Sequence, residues 1–131
     1  MYSSFQSLPN SKWLQEQELR FEVPVTNIST TYKLKLELRS SDEYPFRNLT
    51  MLIDCQIPDG GVWRSDTLNV ELADRQGKWY GNGISVYSYA IPYCSHIQYP
   101  DTGMFVYTVR HGMEENVLQG ISDVGLTVEY E

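Results

Sequence analysis

Cysteine, histidine and basic charge are all scarce in this chain, and long apolar runs are missing. Only two cysteines occur in 131 residues, Cys55 and Cys94. One pair is too few to build a fold from cross-links, so an ordinary hydrophobic core must hold the chain together. Cys55 continues the set Leu49, Met51, Ile53 and reads as a small buried apolar residue. A Cys55–Cys94 bridge stays open on sequence grounds, because spacing alone does not bring two Cα atoms within bonding range. The two histidines, His96 and His111, have no second His, Cys, Asp or Glu at metal-ligand spacing. Cys94-Ser95-His96 offers two donors on one strand face, fewer than a closed site needs. No metal and no cofactor are expected.

Ten Lys and Arg stand against 17 Asp and Glu, a net charge of −7. Phosphate backbones and anionic lipid surfaces select clustered cations, so neither nucleic acid nor an anionic membrane surface is an expected partner. No apolar run approaches the roughly 20 residues of a bilayer-spanning helix, and no signal-peptide pattern opens the chain. Catalytic wording is missing as well. There is no G-x-S-x-G elbow. The acid pairs Asp42-Glu43 and Glu114-Glu115 fall in polar loops, where they read as solvated charge. Asp59-Gly60 and Asp74–Gly77 lack the twelve-residue calcium pattern with its closing Glu. The expectation is a protein that is not an enzyme and has no catalytic residues.

What is present is alternation. Leu19, Phe21, Val23 and Val25 recur with period 2 against Glu18, Arg20 and Glu22, and Pro24 marks that strand as an edge or a bulge. Tyr32, Leu34, Leu36 and Leu38 form a second such set, and Leu49 to Ile57 a third. Asp66–Gly83 reads as a central hairpin. Leu68, Val70 and Leu72 face one way, Ala73–Gly77 turns, and Lys78-Trp79-Tyr80 restarts an apolar run. Val62–Arg64 reads as a short strand before it. Pro92 splits the next region into two short strands, Ile84–Ala90 and Tyr93–Tyr99. Met104–Gly112 is apolar on both faces, as a central strand is, and Val124, Leu126, Val128 and Tyr130 close the chain. About eight strands, with turns every 8–12 residues, predict an all-β, antiparallel, jelly-roll-like sandwich over residues 18–131. Residues 1–17 lack periodicity and read as a tether tacked down by Phe5, Leu8 and Trp13.

The chain's 13% aromatic content suits a pleated surface. Aromatics crowd its middle and read first as sandwich core, since large aromatics usually serve burial. Trp79 and Tyr80 beside a Gly-rich turn also suggest a contact patch at one end of the sandwich. The candidate patch residues are Trp79, Tyr80, Tyr44 and Trp63. A protein partner is the first reading of such a patch. A carbohydrate ligand stacked on Trp and Tyr is the second.

Four stretches, Leu38–Leu49, Asp66–Gly83, Thr102–Val109 and Leu118–Glu129, resemble in order and spacing the gliding-motility lipoprotein family GldH of Bacteroidetes-type bacteria. The resemblance implies a precursor cut before a lipid-bearing Cys just ahead of Met1. It implies a lipid anchor in the bacterial cell envelope, facing the periplasm or in the outer membrane, with residues 1–17 as the tether. The implied partners are envelope proteins of a motility or protein-secretion assembly. The family suggests turn roles for Gly77, Gly81, Gly103 and Asp74, and a structural one for Asp123. Arg75-Gln76 departs from the Pro-Asp more usual in that turn.

Overall fold

The computed structural model describes all 131 residues, Met1–Glu131. Eleven strands form in chain order: β1 Tyr2–Ser7, β2 Lys12–Leu14, β3 Leu19–Val25, β4 Tyr32–Ser41, β5 Asn48–Gln56, β6 Val62–Glu71, β7 Asn82–Gly83, β8 Val86–Ile97, β9 Gly103–His111, β10 Val117–Gln119 and β11 Ile121–Tyr130. Two antiparallel sheets result, ordered β1-β11-β4-β8-β7 and β3-β9-β5-β6, with a β10-β2 ribbon between them at one end. The expected antiparallel sandwich forms, with extra short strands beyond the eight.

Alternation does the work in the long strands. In β3 the residues Leu19, Phe21, Val23 and Val25 are buried, and the same holds for Tyr32 to Leu38 in β4 and Leu49 to Cys55 in β5. Val124, Leu126 and Val128 of β11 are wholly buried, whereas Tyr130 is exposed beyond the sheet's cover. Two polar faces in water and two apolar faces together is the arrangement such alternation allows. β3 lies at a sheet edge, where Pro24 removes no needed ladder bond, and β9 is interior to its sheet.

Four local expectations need correction. Tyr2–Ser7 is not loop but an edge strand, in register with β11 from Tyr2↔Val128 to Ser7↔Asp123. Pro92 does not split a strand. β8 runs through it for 12 residues, and carries one extra residue against each of the β4 steps Leu34/Lys35 and Tyr32/Leu34. Val62–Arg64 is continuous with the strand after it, forming the ten-residue β6. The central hairpin is reduced to one bridge, Ala73↔Trp79, after which the chain crosses to the other sheet.

His111 is buried at the closed end. Its Nδ1 accepts the Met113 N–H at 3.2 Å, and Nε2 has no hydrogen-bond partner. Burial pushes its pKa below the usual 6.5, and the Trp13 backbone and the Glu115 carboxylate oppose that shift without cancelling it. The unfolded chain therefore takes up a proton that the folded chain resists. Stability is complete above about pH 6.5 and falls as pH drops through the unfolded value. Urea unfolding at about pH 7.5 and 5.5 should show this loss, and His111→Leu should make the dependence shallower.

Candidate contact site

The Asp74 turn shapes one end of the sandwich. Its Oδ1 accepts the N–H groups of Gln76 and Lys78, both at 2.9 Å. The Gly77 N–H donates to the Asp74 carbonyl at 3.0 Å. Gly77 sits at φ +86°, open space around it, a conformation that costs other residues energy. This closure returns the chain so that Trp79 lies beside Ala73, and the Tyr80 N–H reaches the Leu72 carbonyl at 2.8 Å.

Trp79 then packs inward. Its ring centroid lies 6.4 Å from Tyr44 and 5.9 Å from Tyr87, the latter at 32° between planes. Tyr44 is buried and donates to the Asn48 carbonyl at 2.6 Å. Tyr89 donates to the Leu72 carbonyl at 2.8 Å, tying β8 to the end of β6 across the open side of the sandwich. Desolvation first, and the Asp42 carboxylate second, push the Tyr87 hydroxyl above its ordinary pKa. Three apolar side chains in the segment that starts next to Trp79 and runs into β8 are open to solvent. Tyr80 is 59% exposed, Val86 51% and Ile84 92%. An aliphatic side chain as open as Ile84, two residues from the exposed Val86 in sequence, is the kind of apolar group that marks a contact surface when it is clustered. A cleft of about 1030 Å³ reaches Tyr80, lined in part by Phe46, Arg47, Asn69, Glu71, Arg75 and Tyr80 itself.

The four sequence candidates therefore divide. Tyr44, Trp79 and Tyr80 meet at this end, with Tyr44 as buried support, Trp79 as a half-buried shelf and Tyr80 as the open ring. Trp63 lies at the far end of β6, about 30 Å away by strand rise, packed on Tyr99 and Phe105 with centroids at 5.6 Å to each. It turns inward because a bulge between Cys55 and Gln56 makes it the extra residue of β6. The Trp79 ring is tilted by 57° to Tyr44 and by 32° to Tyr87. Sequence reading missed Ile84 and Val86, which looked like ordinary members of a strand. The run Gly81-Asn82-Gly83 before them was the available signal, because three turn-formers leave the next residues outside the sheet's cover.

Both cysteines are free thiols, and burial pushes each up to about 11, which leaves them protonated and unreactive at neutral pH. No three of His, Cys, Asp and Glu are gathered as metal ligands. No helix is long and apolar enough to cross a membrane.

The profile of the family described as GldH lipoprotein matches residues 1–128. A "Gliding motility lipoprotein GldH homolog" of Christiangramia forsetii is 25% identical over 137 residues, covering 98% of this chain and 83% of that one. The "Gliding motility lipoprotein GldH" of Flavobacterium johnsoniae is 27% identical over 127 residues, covering 91% and 78%. Among solved structures, an arabinose-bound α-L-arabinofuranosidase overlaps 98% of this chain with 19% of its own, at TM-score 0.46 and 13% identity, too loosely to bear on function.

Proposed function

From the premise that the chain belongs to the GldH lipoprotein family, we propose that it is a non-enzymatic envelope lipoprotein that acts by binding another protein. The partner is a component of a motility or secretion assembly. A lipid on a cysteine ahead of Met1 anchors the chain, and the sandwich presents the rim of Tyr80, Ile84 and Val86 to the partner. The exposure of that rim is the observation that carries the reading: Ile84 alone is 92% open. The shelf of Trp79, Tyr44 and Tyr87 next to Tyr80 supplies the rigid aromatic backing typical of hot spots. The Asp74 turn fixes the angle at which Tyr80 emerges.

The test is capture from native envelopes with the lipidated protein, followed by mass spectrometry. Tyr80→Ser with Ile84→Asp should lower recovery of the partner by about tenfold or more, as loss of hot-spot contacts does. Both side chains are exposed, so folding should be unchanged, and circular dichroism checks it. Equal recovery by the variant would refute this surface.

A further inference from the structure

The strand β6 is the longest edge of the molecule. The sandwich has four edge strands: β1, β7, β3 and β6. β7 is two residues long and β1 six. β3 carries Pro24, and the Gln6 amide caps its Arg20 carbonyl at 2.6 Å. β6 has ten residues, no Pro and no Lys. Pro and Lys are two of the devices that blunt an edge, and β6 lacks both; its bulge at Trp63 lies before Ser65–Glu71.

The ladder fixes which backbone groups are free. The Leu72 N–H donates to the Arg47 carbonyl at 2.6 Å, so the pair Arg47–Leu72 is a hydrogen-bonded one. Pairs of that type alternate along an antiparallel ladder. Leu49↔Val70, Met51↔Leu68, Ile53↔Asp66 and Cys55↔Arg64 follow it. Even-numbered residues of β6 therefore face β5. The N–H and C=O groups of Ser65, Thr67, Asn69 and Glu71 face outward, and no turn or loop hydrogen bond reaches them. Their side chains are exposed.

This row leads into the cleft described above, whose lining includes Asn69 and Glu71. Arg47 and Arg75 line the same cleft, and neither belongs to an ion pair. The Asp74 carboxylate there is committed to its turn. Two unpaired guanidinium groups thus face one free carboxylate, that of Glu71.

We propose that β6 binds an extended segment of a partner protein by strand addition. The segment lies antiparallel on Ser65–Glu71, and an acidic side chain near its N-terminal end sits between Arg47 and Arg75. The antiparallel sense follows every other pairing in the molecule. Four outward donors and four outward acceptors supply affinity independent of sequence, and the two arginines supply selection. A second copy of this chain fits less well. Two-fold pairing centred on Thr67 would set Asp66 diagonally opposite its own symmetry mate. Within the chain, Asp66 already takes the Tyr93 hydroxyl and lies 3.7 Å from Arg64, which makes it an inward charge of the sort that discourages self-pairing. The inference rests on the reading that this chain works through protein contacts, and it names the kind of partner segment.

The experiment uses the purified chain and two capped peptides, Asp-Glu-Thr-Val-Thr-Val-Thr and its Lys-Lys counterpart. Amide exchange is followed by NMR. At about ten times the dissociation constant, the acidic peptide should slow exchange at Ser65, Thr67, Asn69 and Glu71 by about tenfold. The Lys-Lys peptide should bind at least about tenfold more weakly, and Arg47→Glu with Arg75→Glu should reverse that order. Thr67→Pro removes one outward N–H while leaving every β5 bond, so it should abolish protection. Thr67→Ala, which keeps the N–H, should retain it. No protection by either peptide, or protection indifferent to Thr67→Pro, overturns the proposal. Neither result depends on envelope capture through Tyr80 and Ile84, so the two readings fail separately.

Discussion

Trp13→Ala should lower unfolding free energy by about 3–5 kcal/mol, the range for emptying a large core position. Trp13 is wholly buried, and its indole N–H donates to the Gln17 carbonyl at 3.1 Å. It stands opposite Leu118 in the β2–β10 ribbon and meets His111 edge-on at 5.5 Å. Removing the ring takes away the plug at that end of the sandwich and leaves the Gln17 carbonyl and His111 facing a void. Phe5→Ala is the comparison. Phe5 is 40% exposed on an edge strand under Arg39, and its loss should cost about 1 kcal/mol or less. Urea denaturation of both variants measures the difference. A cost near zero for Trp13→Ala would mean that residues 12–14 are only laid on the domain.

Gly120→Ala should be of similar size, for a different reason. Gly120 joins three segments: its N–H donates to the Ser11 carbonyl at 2.9 Å, and its carbonyl accepts the Ser41 N–H at 2.8 Å. Its φ is +96°, and an added Cβ would stand 2.4 Å from the Tyr44 nitrogen and 2.6 Å from its Cα. Those are backbone atoms, so no rotamer relieves the contact. The left-handed conformation alone costs about 1–2 kcal/mol, and displacement of the Tyr44 corner should bring the total to about 3 kcal/mol or more. Gly60→Ala separates the two contributions. Gly60 has φ +97° with nothing within 4 Å, so it should show only the conformational cost. Equal losses for the two variants would mean that the Tyr44 corner yields freely.

These two sites also mark where the sequence was legible and where it was not. The cores of β3, β4, β5 and β11 were visible because one face of each is wholly apolar. β1 was invisible because its inward positions are Tyr2, Ser4 and Gln6, while its largest apolar residue, Phe5, faces Arg39. Those three inward residues stay partly exposed, so β1 has no wholly buried face to announce it. Pro92 misled because its own strand bulges beside it. β8 spends two residues, Pro92 to Cys94, against one step of β4, Lys35 to Leu34, and a bulge accommodates a residue without an N–H while leaving no mark in the alternation. The candidate site was half legible. Trp79 and Tyr80 stood out beside their turn, and Asp74 and Gly77 serve that turn as their types suggested. Trp63 was misplaced because one bulge residue exchanges the faces of a strand. Ile84 read as the first residue of a short strand, because exposure is a property of what fails to cover a residue.

The most direct test of the central claim is site-specific photocrosslinking in intact envelopes of the native host, with a benzophenone side chain at position 80 of the lipidated protein. Position 127, on the opposite strand region of the β1-β11-β4 side, is the control. The account predicts a defined adduct with a motility or secretion component from position 80 and none from position 127. No adduct from position 80, or the same adducts from both positions, would contradict it.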